Sequence, residues 1–179
     1  MIRSLNHVYV GGQTLVTSGA AQMARAWQAA QFQSTQPRYS MFFRDIEAVD
    51  IPFCENYGVG ILAHSPLAKG LLTGSYRPGH QFAADDERSE FSQFQGELFA
   101  GYIRTADQLA EVATEKGISM VQLALAWALR LPAITCVLVG AKNPQQVEEQ
   151  LGAVNVTFSD EELARIDAIL AGAPHSDMA

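Results

Sequence analysis

Three short segments carry the groups that could hold an anionic ligand. Ser65-Pro66-Leu67-Ala68-Lys69-Gly70-Leu71-Leu72-Thr73-Gly74 follows the apolar run 59–63 and combines a hydroxyl, a lysine and glycines. At the C-terminal end of a parallel strand, backbone N–H groups and one cation can hold a phosphate. That makes Ser65, Pro66, Leu67, Lys69 and Gly70 candidate contacts; an ordinary strand-to-loop turn is the structural alternative. The second segment is Gly140-Ala141-Lys142-Asn143-Pro144, a glycine at a strand end, then a lysine, then a helix start. Free N–H groups and the positive end of the helix dipole favour an anion there, and Lys142 adds a full charge. The third is Gln36, an amide at the end of an expected strand and followed by Pro37-Arg38-Tyr39, that can donate and accept at once, or simply form a turn.

His64 stands beside Ser65 and can line any site built there. His7, His80 and His175 have no metal-ligand spacing with one another, and no H-E-x-x-H, G-x-S-x-G, Walker or G-x-G-x-x-G pattern occurs. No metal site is expected. Cys54 and Cys136 share no C-x-x-C spacing and read as small buried thiols.

The elements that must position these segments alternate short apolar runs with helical patterns, the signature of β-α units and a parallel sheet. Strands are expected at 59–63, at 134–139 and at 32–36 before Pro37, with a weaker fourth in residues 1–10. The spacing of Met120, Leu123, Ala124, Trp127, Ala128 and Leu131 predicts one buried helical stripe, opened by a capping box of Ser119 and Gln122. Ser159 and Glu162 form a second box ahead of Leu163, Ile166 and Leu170. Pro144 opens a short helix, and further helices are expected over 19–30, 45–57 and 97–116, Pro52 fitting the middle one only in its first turn or at a kink. Between Thr73 and Gly96 no periodicity survives. Phe82, Phe91 and Phe94 lie there among acidic residues, in a loop that reads either as a cover over a ligand or as a solvated excursion.

The chain has 179 residues, 48% hydrophobic and 17% charged, with a net charge of −7. This composition indicates a single globular domain. The negative charge argues against nucleic acid and anionic lipid as partners. Neither a membrane span nor a signal peptide is visible, so a cytoplasmic location is expected. The low charge content suggests that part of the surface lies against another chain.

The block 65–74, the block Gln122-Leu123-Ala124-Leu125-Ala126-Trp127, and Gly140-Ala141-Lys142-x-Pro144-x-Gln146-x-x-Glu149-Gln150-Leu151-Gly152-Ala153 resemble the aldo-keto reductases, in family order, from about Val16 to Leu170. The resemblance implies a (β/α)₈ barrel that uses NADP(H) to reduce aldehydes and ketones. By position, Gln36 resembles the amide that holds the nicotinamide carboxamide, and Ser65 and Leu67 resemble pyrophosphate contacts. Lys142 corresponds to the residue that meets the 2′-phosphate, and Gln146, Glu149 and Gln150 to the adenine-facing group. His64 replaces the aromatic that stacks on the nicotinamide, and Arg88 matches an arginine of the cofactor-covering loop.

A (β/α)₈ barrel needs roughly 250 residues and eight strands, whereas about four strands are expected here. The expectation is an α/β fold, a partial (half) TIM barrel corresponding to the family's C-terminal half, with residues 1–15 divergent and 171–179 fraying. The family's catalytic Asp, Tyr, Lys and His belong to its other half and no residue matches them, so no catalytic residue is assigned. Tyr9 and Tyr39 are not promoted to proton donors. Two readings follow. One is the cofactor-binding portion of a truncated or split oxidoreductase, inactive alone, which pairs with a second copy or with a complementing N-terminal half. The other is a non-catalytic nucleotide-binding accessory module on the same fold.

Overall fold

The computed structural model describes residues 20–29 and 32–174. The strand expected in residues 1–10, His7, Tyr9, His175 and most of the expected fraying tail lie outside them. In chain order the elements are α1 (Ala20–Ala29), β1 (Ser34–Thr35), α2 (Asp50–Tyr57), β2 (Gly60–His64), α3 (Gly96–Lys116), α4 (Met120–Leu129), β3 (Ile134–Leu138), α5 (Pro144–Leu151) and α6 (Asp160–Ala171). The strands form one sheet in the order β1-β2-β3, with both pairings parallel. Against an expectation of about four strands, the described residues contain three. All three C-terminal ends therefore open on one side of the sheet, with β2 in the middle.

β1 is shorter than the run 32–36 because Pro37 has no N–H for a ladder. The chain nevertheless stays beside β2: the Tyr39 amide donates to the His64 carbonyl at 3.1 Å and the His64 amide to the Pro37 carbonyl at 3.0 Å. The helix expected over 45–57 divides into a 3₁₀ turn, Asp45–Glu47, and α2. Pro52 lies in the first turn of α2, where its missing donor costs no helical bond. Gly58 ends that helix in the left-handed region, φ 67°.

Both capping boxes form, at Ser119 with Gln122 and at Ser159 with Glu162. The single stripe expected on α4 is a correction. Val121, Leu125 and Ala126 are also buried, against Ala153, so α4 is covered on two faces. Leu131 falls beyond its last turn. Segment 73–96 is a second correction, because it contains 3₁₀ turns at Glu87–Glu90 and Ser92–Phe94. Tyr76, Phe82, Phe94 and Phe99 pack edge to face or tilted there, with centroids 5.1 to 6.1 Å apart. Such pairing contributes beyond area burial and anchors the loop to the main core. Cys54 is buried, which pushes its thiol up to about 11. Cys136 is only half-buried, contrary to expectation, because β3 has an open side that leaves Leu138 exposed.

One polar cluster ties the sheet edge to the helices. The fully buried Tyr39 donates its hydroxyl to Glu47 Oε1 at 2.6 Å, while Arg44 Nε and Nη2 donate to Oε2 at 3.0 and 2.8 Å. Arg130 donates to Tyr39 Oη at 3.0 Å, lies 3.6 Å over the Trp127 ring, and reaches Glu47 at 3.4 Å. Arg44 continues to Asp167 on α6 at 2.9 Å. Burial pulls the Glu47 carboxyl up, but the donors from Arg44 and Tyr39 and the two guanidinium charges outweigh it, and the net shift is downward.

Tyr39→Phe is expected to cost about 1.5–3 kcal/mol in urea unfolding, because it leaves a half-buried carboxylate short of a donor. A carboxyl with a lowered folded pKa stabilises the fold fully above its unfolded value of 4.5, and that stabilisation is lost as pH falls through the folded value. Glu47→Gln should therefore flatten the acid limb of a stability-versus-pH curve. An unchanged limb would remove Glu47 from that role.

Candidate functional site

Gln36, half-buried, lies just past β1, the segment 64–74 follows β2, and Gly140 to Lys142 follow β3. Parallel pairing thus gathers the three predicted segments at one end of the sheet, where ligands of parallel α/β sheets bind. Arg38 bridges His64, so the chain from Gln36 runs against the β2 terminus.

The turn after β2 is strained. Ser65, Ala68 and Lys69 have φ of 56°, 48° and 54°, and Gly70 has 101°. Left-handed non-glycine residues cost on the order of 1–3 kcal/mol each and concentrate at ligand clamps. Tyr76 donates to the Lys69 carbonyl at 3.3 Å, and a Cβ on Gly70 would come within 2.7 Å of the Tyr76 hydroxyl, so glycine is required there. Lys69 pairs with Glu87 at 2.7 Å and lies 4.5 Å from the Phe91 ring centroid. Pro66 is fully buried and Leu67 packs against both apolar clusters, so these two shape the turn from beneath.

His64 Nδ1 lies 3.0 Å from Ser65 Oγ. Burial, and then the Arg38 charge, push its imidazole below the ordinary 6.5, which disfavours the charged form. Tyr39, committed to Glu47 and Arg130 and fully buried, has no proton to offer a ligand; burial and the Glu47 hydrogen bond raise its pKa.

At the third segment, Asn143 Oδ1 accepts the Gln146 amide at 2.9 Å, and Gln146 Oε1 accepts the Lys142 amide at 2.6 Å. Gln150 Nε2 donates to the Gly140 carbonyl at 2.9 Å, and the Glu149 carbonyl accepts from Gln122 at 3.0 Å. In this structure Gln146 and Gln150 therefore hold the loop that carries Ala141 and Lys142. A Cβ on Gly140 would meet nothing within 4 Å, and Lys142 is exposed, its ammonium in no ion pair among the described residues.

Arg88 reaches this end of the sheet from the 73–96 loop. Its Nε donates to Asp86 Oδ1 at 2.8 Å, its Nη2 to Oδ2, and its Nη1 to the Tyr76 hydroxyl at 2.7 Å. The hydrogen bonds from the Arg88 side chain and amide pull the Asp86 carboxyl down to about 2, with Lys142 contributing a further charge. Tyr76, Asp86 and Glu87 were not anticipated as parts of the site. Asp86 and Glu87 carry only the signal of acidic residues directly before Arg88, and Tyr76 carries none. Among the described residues no group of His, Cys, Asp and Glu could hold a metal ion, and no helix is long and apolar enough to cross a membrane.

The family model described as Aldo/keto reductase family matches residues 15–171. An L-glyceraldehyde 3-phosphate reductase of Escherichia coli O157:H7 is 39% identical over 144 residues, covering 76% of this chain and 41% of that protein. A probable voltage-gated potassium channel subunit beta of Arabidopsis thaliana is 32% identical over 171 residues, covering 87% of this chain and 51% of its own. The solved glycerol dehydrogenase of Gluconobacter oxydans superposes with a TM-score of 0.81 at 30% identity, over 90% of this chain and 50% of that one. The chain spans about half the length of the curated relatives it matches.

The His64 ring should titrate below 6.5 in an NMR pH series, and Arg38→Gln should move the midpoint part of the way back, burial remaining. A histidine with a lowered folded pKa contributes stability above its unfolded value, lost as pH falls from there through the folded one. A midpoint above 6.5 would show that the imidazole is held charged.

Proposed function

Because the chain belongs to the aldo/keto reductase family, we propose that it is the NADP(H)-binding portion of an oxidoreductase acting on aldehydes or ketones, folded as part of a (β/α)₈ barrel. The observation that carries this reading is the convergence of a carboxamide-type side chain, a strained turn with a hydroxyl and an unpaired lysine on one end of a parallel sheet. The donor set fits a phosphorylated dinucleotide. Lys142 and the α5 N-terminus would take the 2′-phosphate, Ser65 and the Leu67 backbone the pyrophosphate, and Gln36 the carboxamide. His64 would face the nicotinamide ring, while Lys69, Gly70 and Arg88 shape and close the covering loop. Gly140 and Ala141 leave room for the nucleotide, with Gln146, Glu149 and Gln150 toward the adenine.

When bound, the nicotinamide supplies the hydride that reduces a carbonyl carbon. That step also needs an acid beside the forming alkoxide, typically worth ~10² to 10⁴ in rate. Tyr39 is spent on Glu47, and burial with the Arg38 charge works against a protonated His64. The described residues therefore offer no acid of the family's kind, and this chain by itself is expected to bind and not turn over. A complementing half-barrel would supply the acid, and that half or a second copy would cover the surface on which Leu138, Val147, Leu151 and Val154 are exposed. The likeness to a channel beta subunit favours, as a second reading, a nucleotide-binding accessory module. Measurable turnover on complementation separates the two.

Fluorescence or calorimetric titration should give tighter binding of NADP⁺ than NAD⁺. Lys142→Ala should remove about 10- to 100-fold of it, the range of a charge-assisted hydrogen bond. Equal affinities in the wild type would take Lys142 out of the site. With NADPH and a panel of aldehydes the purified chain should show no family-like rate. Turnover surviving His64→Ala would reveal an acid elsewhere, and turnover abolished by it would make His64 the proton donor.

A further inference from the structure

The cation carried to the site by the covering loop is already neutralised. Arg88 makes a two-point contact with Asp86 through Nε and Nη2, and its Nη1 is taken by Tyr76. Asp86 Oδ1 also accepts the Arg88 amide at 3.0 Å, which fixes the carboxylate at the start of the Glu87–Glu90 turn. The Lys142 charge also favours the ionised form of the same carboxylate. Asp86 is thus the anion that already answers Arg88 and feels Lys142, the residue assigned to the phosphate.

We infer that Asp86 is a specificity-determining residue, whose carboxylate competes with phosphate for Arg88 and Lys142 and so sets how strongly this chain prefers a nucleotide bearing a 2′-phosphate. The inference rests on the assignment of Lys142 to that phosphate. A 2′-phosphate approaching Lys142 meets a like charge at Asp86 and draws on Arg88 only as that carboxylate lets go. A nucleotide without the 2′-phosphate does not meet this opposition at Lys142. Asparagine at position 86 keeps the shape and the acceptor for the Arg88 amide but removes the charge.

The test is calorimetric titration of NADP⁺ and NAD⁺ into the whole chain and its Asp86→Asn, Asp86→Glu and Asp85→Asn variants, at fixed salt. Asp86→Asn should tighten NADP⁺ by about fivefold more than NAD⁺, the scale of one unit-charge interaction across a few ångströms of wet surface. Asp86→Glu, which keeps the charge, should retain the wild-type ratio. Asp85→Asn, the same charge change one residue away on an exposed side chain, should leave it unaltered. If Asp86 merely holds the loop, Asp86→Asn weakens both nucleotides together, and that result overturns the inference. A wild type that prefers NADP⁺ with an unchanged ratio in Asp86→Asn overturns this inference alone. A wild type that binds neither nucleotide overturns the reading of the site as well.

Discussion

The Glu47 carboxylate holds the architecture together because it is partly withdrawn from water and three side chains from different parts of the chain answer it. Tyr39 comes from the strand end, Arg44 from the connection that follows it, and Arg130 from the end of α4. Arg44 then reaches Asp167, so α6 is drawn into the same knot. The Trp127 indole is the floor, with Tyr39 stacked at 5.5 Å, Arg44 at 5.2 Å and Arg130 at 3.6 Å. Removing one member of such a set leaves the others desolvated and unmatched, which costs more than the pairing itself contributes. The consequence reaches the site. Tyr39 bonds the His64 carbonyl through its backbone while its side chain is locked, so the stretch beginning at Gln36 is held at both ends of its path along β2.

What could be read from the sequence was what is local. Both capping boxes pair residues three apart, and their partners are inevitable once the helix forms. β2 and β3 stood out as apolar runs between glycine and proline, and the Pro144 helix by its first-turn proline. The candidate segments could be picked out for the same reason, since Ser65, Lys69 and Gly70 lie within one short stretch and Gly140 and Lys142 within another. The Glu47 knot was not legible, because Tyr39 and Arg130 lie 8 and 83 residues from the glutamate. The second buried face of α4 was hidden too. Periodicity reports that a face is apolar, and a helix apolar nearly all round shows no contrast until the 3₁₀ turn at Gly152–Asn155 is seen to cover it.

The loop 73–96 illustrates a different limit. Its phenylalanines were read beside acidic charge and without period, a pattern compatible with a solvated excursion. Tyr76, Phe94 and Phe99 instead join the main core, with Phe82 packed against it, while Lys69 with Glu87 and Arg88 with Asp86 tie the loop's outer side. Exposed ion pairs of this kind contribute little to stability. Their effect is orientation: they decide which way Arg88 and Asp86 face, and that choice depends on geometry no linear spacing encodes.

The strained turn after β2 shows why the site can exist on this scaffold at all. Three non-glycine residues in the left-handed region are sustained only where surrounding contacts leave no better alternative. Those contacts are present. Pro66 and Leu72 are buried beneath the turn, Thr73 Oγ1 donates to the Gly70 carbonyl at 2.8 Å, and the Tyr76 hydroxyl closes against Lys69. Only Gly70 lacks a side chain, because only there does a hydroxyl occupy the space of a Cβ. Ser65, Ala68 and Lys69 keep theirs, so the strain at these positions is the cost of presenting a hydroxyl and a cation from a backbone that curls tightly around the end of β2. At the neighbouring β3 terminus a Cβ on Gly140 would find open space, and on the reading proposed above that opening would let two strand ends act on one extended ligand.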